Sequence, residues 1–190
     1  MKILHIGKYF PPYAGGMEHY LRDLMLSLSK RGIDNAALVH QSDITVGSSA
    51  ENYESQGQRL SITRAAVWAR LLFTPISPSF GWLLSRAINK QQPDILHIHM
   101  PNVSAFWALL LPRARRIPWI IHWHSDVLAS KHSLGLRLFY TFYSPFERAL
   151  LRRCRAIIAT SAPYLETSAT LRDLQDKCTV VPLGLDPISL

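Results

Sequence analysis

Along the chain, short apolar runs alternate with longer stretches in which apolar residues return every three or four positions. Residues 2–7 form the first such run and predict a strand buried on both faces, while Tyr20, Leu21, Leu24 and Leu28 repeat at helical spacing behind it. A second strand is predicted at 36–39. Residues 41–58, rich in Ser, Gly, Asn, Gln and acidic side chains, read as a polar, mobile loop, and 59–64 alternates weakly as a third strand. An apolar segment, 65–73, precedes a helix that starts at Ser79 and runs through Phe80, Leu83, Leu84, Ala87 and Ile88 to Gln91. The pattern then repeats. A strand at 94–99 leads to a buried helix at 103–111 stopped by Pro112, and a strand at 119–124 leads to a long helix at 134–153, bent or interrupted at Pro145. A strand at 156–160 is followed by a helix with Ser161 as N-cap and Pro163 in its first turn, ending near Leu171, and a last strand spans 178–182.

Strands that are nearly all apolar, alternating with helices, predict an α/β fold: a doubly wound, mostly parallel sheet of about seven strands with helices on both faces. Ligands of such sheets sit beyond the carboxyl ends of the strands. Gly15, Gly16, His97, His99, His124, Ser125 and Asp126 would converge there.

Composition narrows the picture. At 190 residues, 48% hydrophobic and 18% charged, the chain suits one well-buried domain rather than a disordered segment. The apolar run 103–111 is well short of the ~18 residues that cross a bilayer, and the N-terminus enters a strand pattern directly, so a cytoplasmic protein is expected. Two cysteines suit a reducing compartment and lack metal-site spacing. A formal charge of +8 asks for an anionic partner. Zinc spacing, a helix-turn-helix phrase and RNP aromatics are all missing from the sequence, so nucleic acid is not the expected one. Arg137, Arg148, Arg152, Arg153 and Arg155 are interleaved with aromatics such as Phe139, Phe142 and Phe146, a pattern that fits either an anionic lipid surface or a core helix with a solvated face.

The loop after the first strand carries Pro11, Pro12 and then Gly15-Gly16 immediately before the helix. Two glycines permit positive φ and bring bare N–H groups near a ligand, and a helix N-terminus favours anions, so a phosphate-bearing ligand is the natural guest. Dinucleotide binding fits poorly: the loop is too long for G-x-G-x-x-G, and the second strand ends in His40 and Gln41 rather than an acid. His97/His99 and His122/His124 form two His-x-His pairs, each pointing to one face of a strand. A metal site is the sharper reading of these pairs and is set aside. Inward histidines are ordinarily satisfied by backbone or carboxylate, and no Cys or Glu completes a tetrahedral set. His124, beside Ser125 and Asp126, is placed to reach a ligand, with Asp126 orienting either it or an acceptor.

The phrase Tyr9-Phe10-Pro11-Pro12, Gly15-Gly16-Met17-Glu18, Leu21, Leu24, Leu28 and Lys30-Arg31-Gly32 resembles the opening of the family 4 glycosyltransferases, retaining enzymes of the GT-B fold. His122-Trp123-His124-Ser125-Asp126-Val127 with Lys131, the run IIATS at 157–161 and VVPLGLD at 180–186 extend the likeness over nearly the whole chain. The resemblance implies one Rossmann-like, acceptor-side half of a two-domain enzyme. Its partners would be a nucleotide-diphosphate sugar, mannose-like, and a lipid-linked or polysaccharide acceptor such as lipopolysaccharide. Neither a cofactor nor an obligatory metal is implied. His124 would approach the transferred sugar, Gly15 and Gly16 the diphosphate, and Ser125, Lys131 and Arg137 the acceptor or its phosphate. The donor domain would begin near Leu190, where the sequence stops, so the chain alone is expected to be inactive unless another chain completes it. A non-catalytic module for a phosphorylated lipid, and half of a nucleotide-sugar epimerase, are the alternatives.

Overall fold

The computed structural model describes residues 1–71, 74–127 and 134–184. Strand β1 (Lys2–Ile6) leads to helix α1 (Gly16–Lys30), then β2 (Asp34–His40), β3 (Ser49–Ser55) and β4 (Gln58–Ala65). Two short strands, β5 (Ala69–Leu71) and β6 (Thr74–Ile76), pair with each other, and α2 (Phe80–Gln91), β7 (Ile95–Met100) and α3 (Trp107–Leu110) follow. The order closes with β8 (Trp119–Trp123), α4 (Leu134–Arg153), β9 (Ala156–Ala159), α5 (Ala162–Thr167) and β10 (Cys178–Val180).

Eight strands make one sheet in the order β10-β9-β8-β7-β1-β2-β4-β3. Neighbours are parallel throughout except β3 with β4, as a doubly wound sheet requires. The winding reverses between β1 and β7, and the crevice above their carboxyl ends is where such sheets bind ligands. Side-chain alternation assigns the two faces. Leu4, Ile6, Leu38, Leu96, Ile98 and Ile121 pack beneath α2 and α4 in the larger core. The opposite face of β2 and β4, through Ala37, Val39, Leu60 and Ile62, takes Leu21, Met25 and Leu26 of α1. Gly7 makes that seat possible: a Cβ there would lie 2.7 Å from Leu21 Cδ2. At the far end of α1, Gly32 (φ +75) stops the helix as its N–H reaches Ser29 O at 2.9 Å.

Three expectations are corrected. Residues 41–58 are not simply a loop, because 49–55 form the antiparallel edge strand β3, joined to β4 by Gln56 and Gly57, both left-handed (φ 49 and 71) as a type I′ turn requires. Five of the seven β3 positions are exposed and none is fully buried, so no apolar alternation marks it. Residues 103–111 do not make one buried helix: Asn102 accepts the Ser104 N–H at 3.1 Å to start a 3-10 turn (Val103–Phe106), α3 adds four residues, and Leu110 is 65% exposed. The helix capped by Ser161 stops at Thr167 rather than near Leu171, since Ser168 turns its hydroxyl to Asp126 at 2.8 Å. Helix α4 runs continuously through Pro145. Both cysteines are free thiols, donating to the carbonyls of Leu151 and Leu174.

Candidate functional site

The loop between β1 and α1 is tied down carbonyl by carbonyl. Gly7 O accepts from Asn102 Nδ2 at 2.9 Å, and Lys8 O accepts from His40 Nδ1 at 2.6 Å. A carbonyl can only accept, so the His40 proton sits on Nδ1 and its Nε2 accepts from the Ser104 hydroxyl at 2.9 Å. Burial keeps this ring neutral, lowering its pKa to about 4. Arg64 donates through Nη1 to Phe10 O (3.2 Å) and through Nη2 to Pro11 O (2.5 Å), while its Nε meets Glu51 Oε1 of β3 at 2.8 Å. None of Arg64, His40 and Asn102 stood out in the sequence.

The two glycines act through space rather than through backbone hand. Gly15 is the N-cap in an extended conformation (φ 178), and neither glycine is among the residues with positive φ. A Cβ on Gly15 would fall 2.1 Å from Glu18 Oε2, so the missing side chain makes room for this buried carboxylate at the helix start. Gly16 faces open space, with no atom within 4 Å of its would-be Cβ. Lys8, half-buried beside the loop, has its pKa lowered by burial, which outweighs the raising effect of Glu18.

Beside α1, the face of β1, β7 and β8 is lined by histidines. His5 pairs in register with His97, and His99 with His122. His5 Nδ1 lies 3.3 Å from His99 Nε2, and His99 Nδ1 lies 3.2 Å from His124 Nε2. The Tyr20 ring of α1 closes over His122 and His124, with centroids at 4.6 and 5.5 Å. Where backbone or carboxylate partners are expected, His5 Nε2, His97 Nε2 and both nitrogens of His122 are buried without a hydrogen-bond partner among the described residues. All five rings are held neutral, burial being the first cause, with His97 and His124 at about 4 and His122 at about 2. Among the described residues, His5/His97/His99 and His99/His122/His124 each bring three ring nitrogens within 4.8 Å of one another.

The structure gathers some of the expected site residues and separates others. Gly15, Gly16 and His124 are linked through Tyr20 and the head of α1. Asp126 does not bond to His124; it accepts from Trp123 Nε1, Tyr164 OH and Ser168 Oγ, each at 2.8 Å, and so ties the end of β8 to α5. Ser125 is exposed, Arg137 is exposed on α4, and Lys131 lies outside the described residues. The aromatics of α4 divide: Tyr143 is buried, whereas Phe142 (69% exposed) and Phe146 (49%) join Phe106, Trp107 and Leu110 in lining an apolar groove of about 340 Å³. No helix among the described residues is long and apolar enough to cross a membrane.

A parallel sheet with a switch-point crevice, a glycine loop opening onto a helix and a histidine at the end of β8 make a Rossmann-like domain of the kind that forms one half of the GT-B fold. The chain superposes on α,α-trehalose-phosphate synthase (UDP-forming) of Burkholderia xenovorans with a TM-score of 0.65 at 12% identity, over all of this chain and 51% of that one. The corresponding enzyme of Burkholderia vietnamiensis gives 0.55 at 10% identity, over 99% and 49%. These likenesses establish the fold. Residues 14–188 match Glycosyltransferase Family 4, and the chain belongs to that family. It is 28% identical over 191 residues to O-antigen chain mannosyltransferase C of Escherichia coli, covering 98% of this chain and 46% of that relative. A D-rhamnosyltransferase of Pseudomonas aeruginosa is 27% identical over 192 residues, covering 98% and 45%. The chain thus spans about half the length of the curated relatives it matches.

Proposed function

We propose that this chain is the acceptor-side half of a retaining glycosyltransferase that moves a mannose-like sugar from a nucleotide-diphosphate donor to a lipid-linked or polysaccharide acceptor. The observation that carries the reading is the meeting of the glycine-loop helix and His124 at the β1/β7 switch point, under Tyr20. In this reading the open approach over Gly16 admits the diphosphate and the reacting hydroxyl, and the helix N-terminus stabilises their charge. His124, neutral at physiological pH, offers a ring nitrogen to a sugar hydroxyl. Ser125, Lys131 and Arg137 serve the acceptor, and Asp126 holds the β8 end in place. The strong cationic donors that a departing nucleoside diphosphate needs come from a second, donor-binding domain, and the transfer uses no cofactor and no metal. Alone, the half does not turn over.

The apolar groove with its exposed Phe142 and Phe146 favours a second property of the same reading, peripheral contact with a membrane at the cytoplasmic face. The test joins this chain to the donor half of the Escherichia coli mannosyltransferase relative and assays a panel of nucleotide sugars with lipid-linked acceptors. Transfer with retained anomeric configuration by the joined protein, and none by the chain alone, is the expected result. In the same protein, His124→Ala lowers turnover without matching loss of stability. Donor-independent binding with no transfer by any joined protein would favour a non-catalytic lipid-binding module instead.

A further inference from the structure

Five imidazoles crowd one face of the sheet, and the unpartnered nitrogens of the buried His122 lie among them. We propose that His99, His122 and His124 form a binding site for a divalent ion of the zinc class, with a fourth position open to the crevice.

Ligand bonds of about 2.0–2.1 Å place the nitrogens of a tetrahedral site about 3.3 Å apart. His99 Nδ1 and His124 Nε2 already stand at 3.2 Å. Each of the three rings offers a nitrogen such that all three lie within 4.8 Å of one another, so any pair has to close by at most about 1.5 Å, a side-chain adjustment. Among the described residues neither nitrogen of His122 has a hydrogen-bond partner.

The outer shell is also in place. With His99 bound through Nδ1, its Nε2 carries the proton and donates to His5 Nδ1, 3.3 Å away, which fixes tautomer and ring plane as ligating histidines require. An all-imidazole set suits zinc, copper, nickel or cobalt and not magnesium or calcium, which take oxygen. Access favours this triad over His5/His97/His99. Every member of the latter is buried, whereas His124 is half-buried at the end of β8, under the edge of Tyr20. An ion held here takes His124 Nε2, so ion and sugar would compete; that consequence alone rests on the transferase reading.

The test uses the tag-free chain, stripped with EDTA and titrated with cobalt(II) chloride and then zinc sulfate. The expected result is a visible absorption band of four-coordinate cobalt that saturates at equimolar ion and is bleached by zinc. His124→Gln and His122→Asn each weaken cobalt binding at least tenfold, and His5→Gln, which removes the outer-shell partner, weakens it roughly 10–100-fold. His97→Gln and His19→Ala leave it unchanged, with circular dichroism confirming the fold of each variant. His124 is half-buried, so His124→Gln is the variant expected to fold in any case. A cobalt spectrum unaltered in that variant overturns the proposal, as does the absence of any cobalt band in the parent chain. Loss of the band in His97→Gln alone would move the site to the buried triad and overturn it equally.

Discussion

Arg64 offers the sharpest test of how the glycine loop is held. Its side chain is 7% exposed, and its two terminal nitrogens reach the buried carbonyls of Phe10 and Pro11 while the fork's inner edge meets Glu51. Arg64→Ala leaves Pro11 O without its donor and Phe10 O with the Tyr13 N–H alone, 3.3 Å away, so a loss of about 1–3 kcal/mol is expected. The Glu51 carboxylate is 44% exposed and recovers water, so the ion pair itself adds little. Lysine carries the charge without the fork, so Arg64→Lys should recover only part of the loss. Urea unfolding followed by the fluorescence of the buried Trp119 and Trp123 measures both variants, and amide exchange over residues 13–16 reports the loop itself. The expected order of midpoints is parent, Arg64→Lys, Arg64→Ala. An alanine variant within about 0.5 kcal/mol of the parent would refute the reasoning, and a lysine variant equal to the parent would refute the role of the fork.

Glu147 on α4 is 1% exposed, accepts from Tyr140 OH at 3.3 Å and has an unpartnered Oε1; burial pushes its pKa up to about 7. The folded value lies above the unfolded 4.5, so this contribution to stability is full below about pH 4.5 and is lost as pH rises through about 7. Glu147→Gln should therefore gain on the order of 2–3 kcal/mol over the parent at pH 8 and nothing at pH 4, and thermal melts that show equal gains at both would contradict the assignment. Two glycine substitutions separate packing from approach. In Gly81→Ala the new Cβ would lie 2.7 Å from the Trp107 ring, costing about 1–3 kcal/mol by chemical denaturation, and a neutral change would mean that the ring is not confined. Gly16→Ala meets open space and should melt within about 0.5 kcal/mol of the parent, yet lower sugar transfer in the joined protein; unchanged transfer would place the ligand elsewhere.

What could be read in advance follows from burial. The parallel strands are buried on both faces, so runs such as 2–7 and 119–124 announced them, and the helical spacing of Leu21, Leu24 and Leu28 announced α1. Strand β3 escaped because an exposed edge strand needs no apolar side chains, and its turn uses Gln56-Gly57 rather than the commoner Asn-Gly. Gly15-Gly16 was visible as a motif, but the reason for Gly15 was not. Room for the Glu18 carboxylate depends on how that side chain folds back, which no spacing rule encodes. The His-x-His pairs were legible singly. Their union with His5 depends on β1 lying against β7, a long-range pairing, and so does the grip of Asn102 on Gly7. Arg64 sat in a weakly alternating strand with nothing to distinguish it from a solvated cation.

The adjacency of β1 and β7 sets a clock on biosynthesis. Ile6 pairs with Ile98, and a ribosome adding about 5–20 residues per second makes the first strand wait roughly 5–20 s for its neighbour. During that interval β1 has β2 on one edge and an open row of amides on the other, with the apolar side chains of Leu4 and Ile6 uncovered by α2. The half-sheet β1-β2-β4-β3, already closed at its outer edge by the polar β3, is the assembly the nascent chain can complete first. The central seam forms late, and the histidine-lined crevice exists only once it has closed.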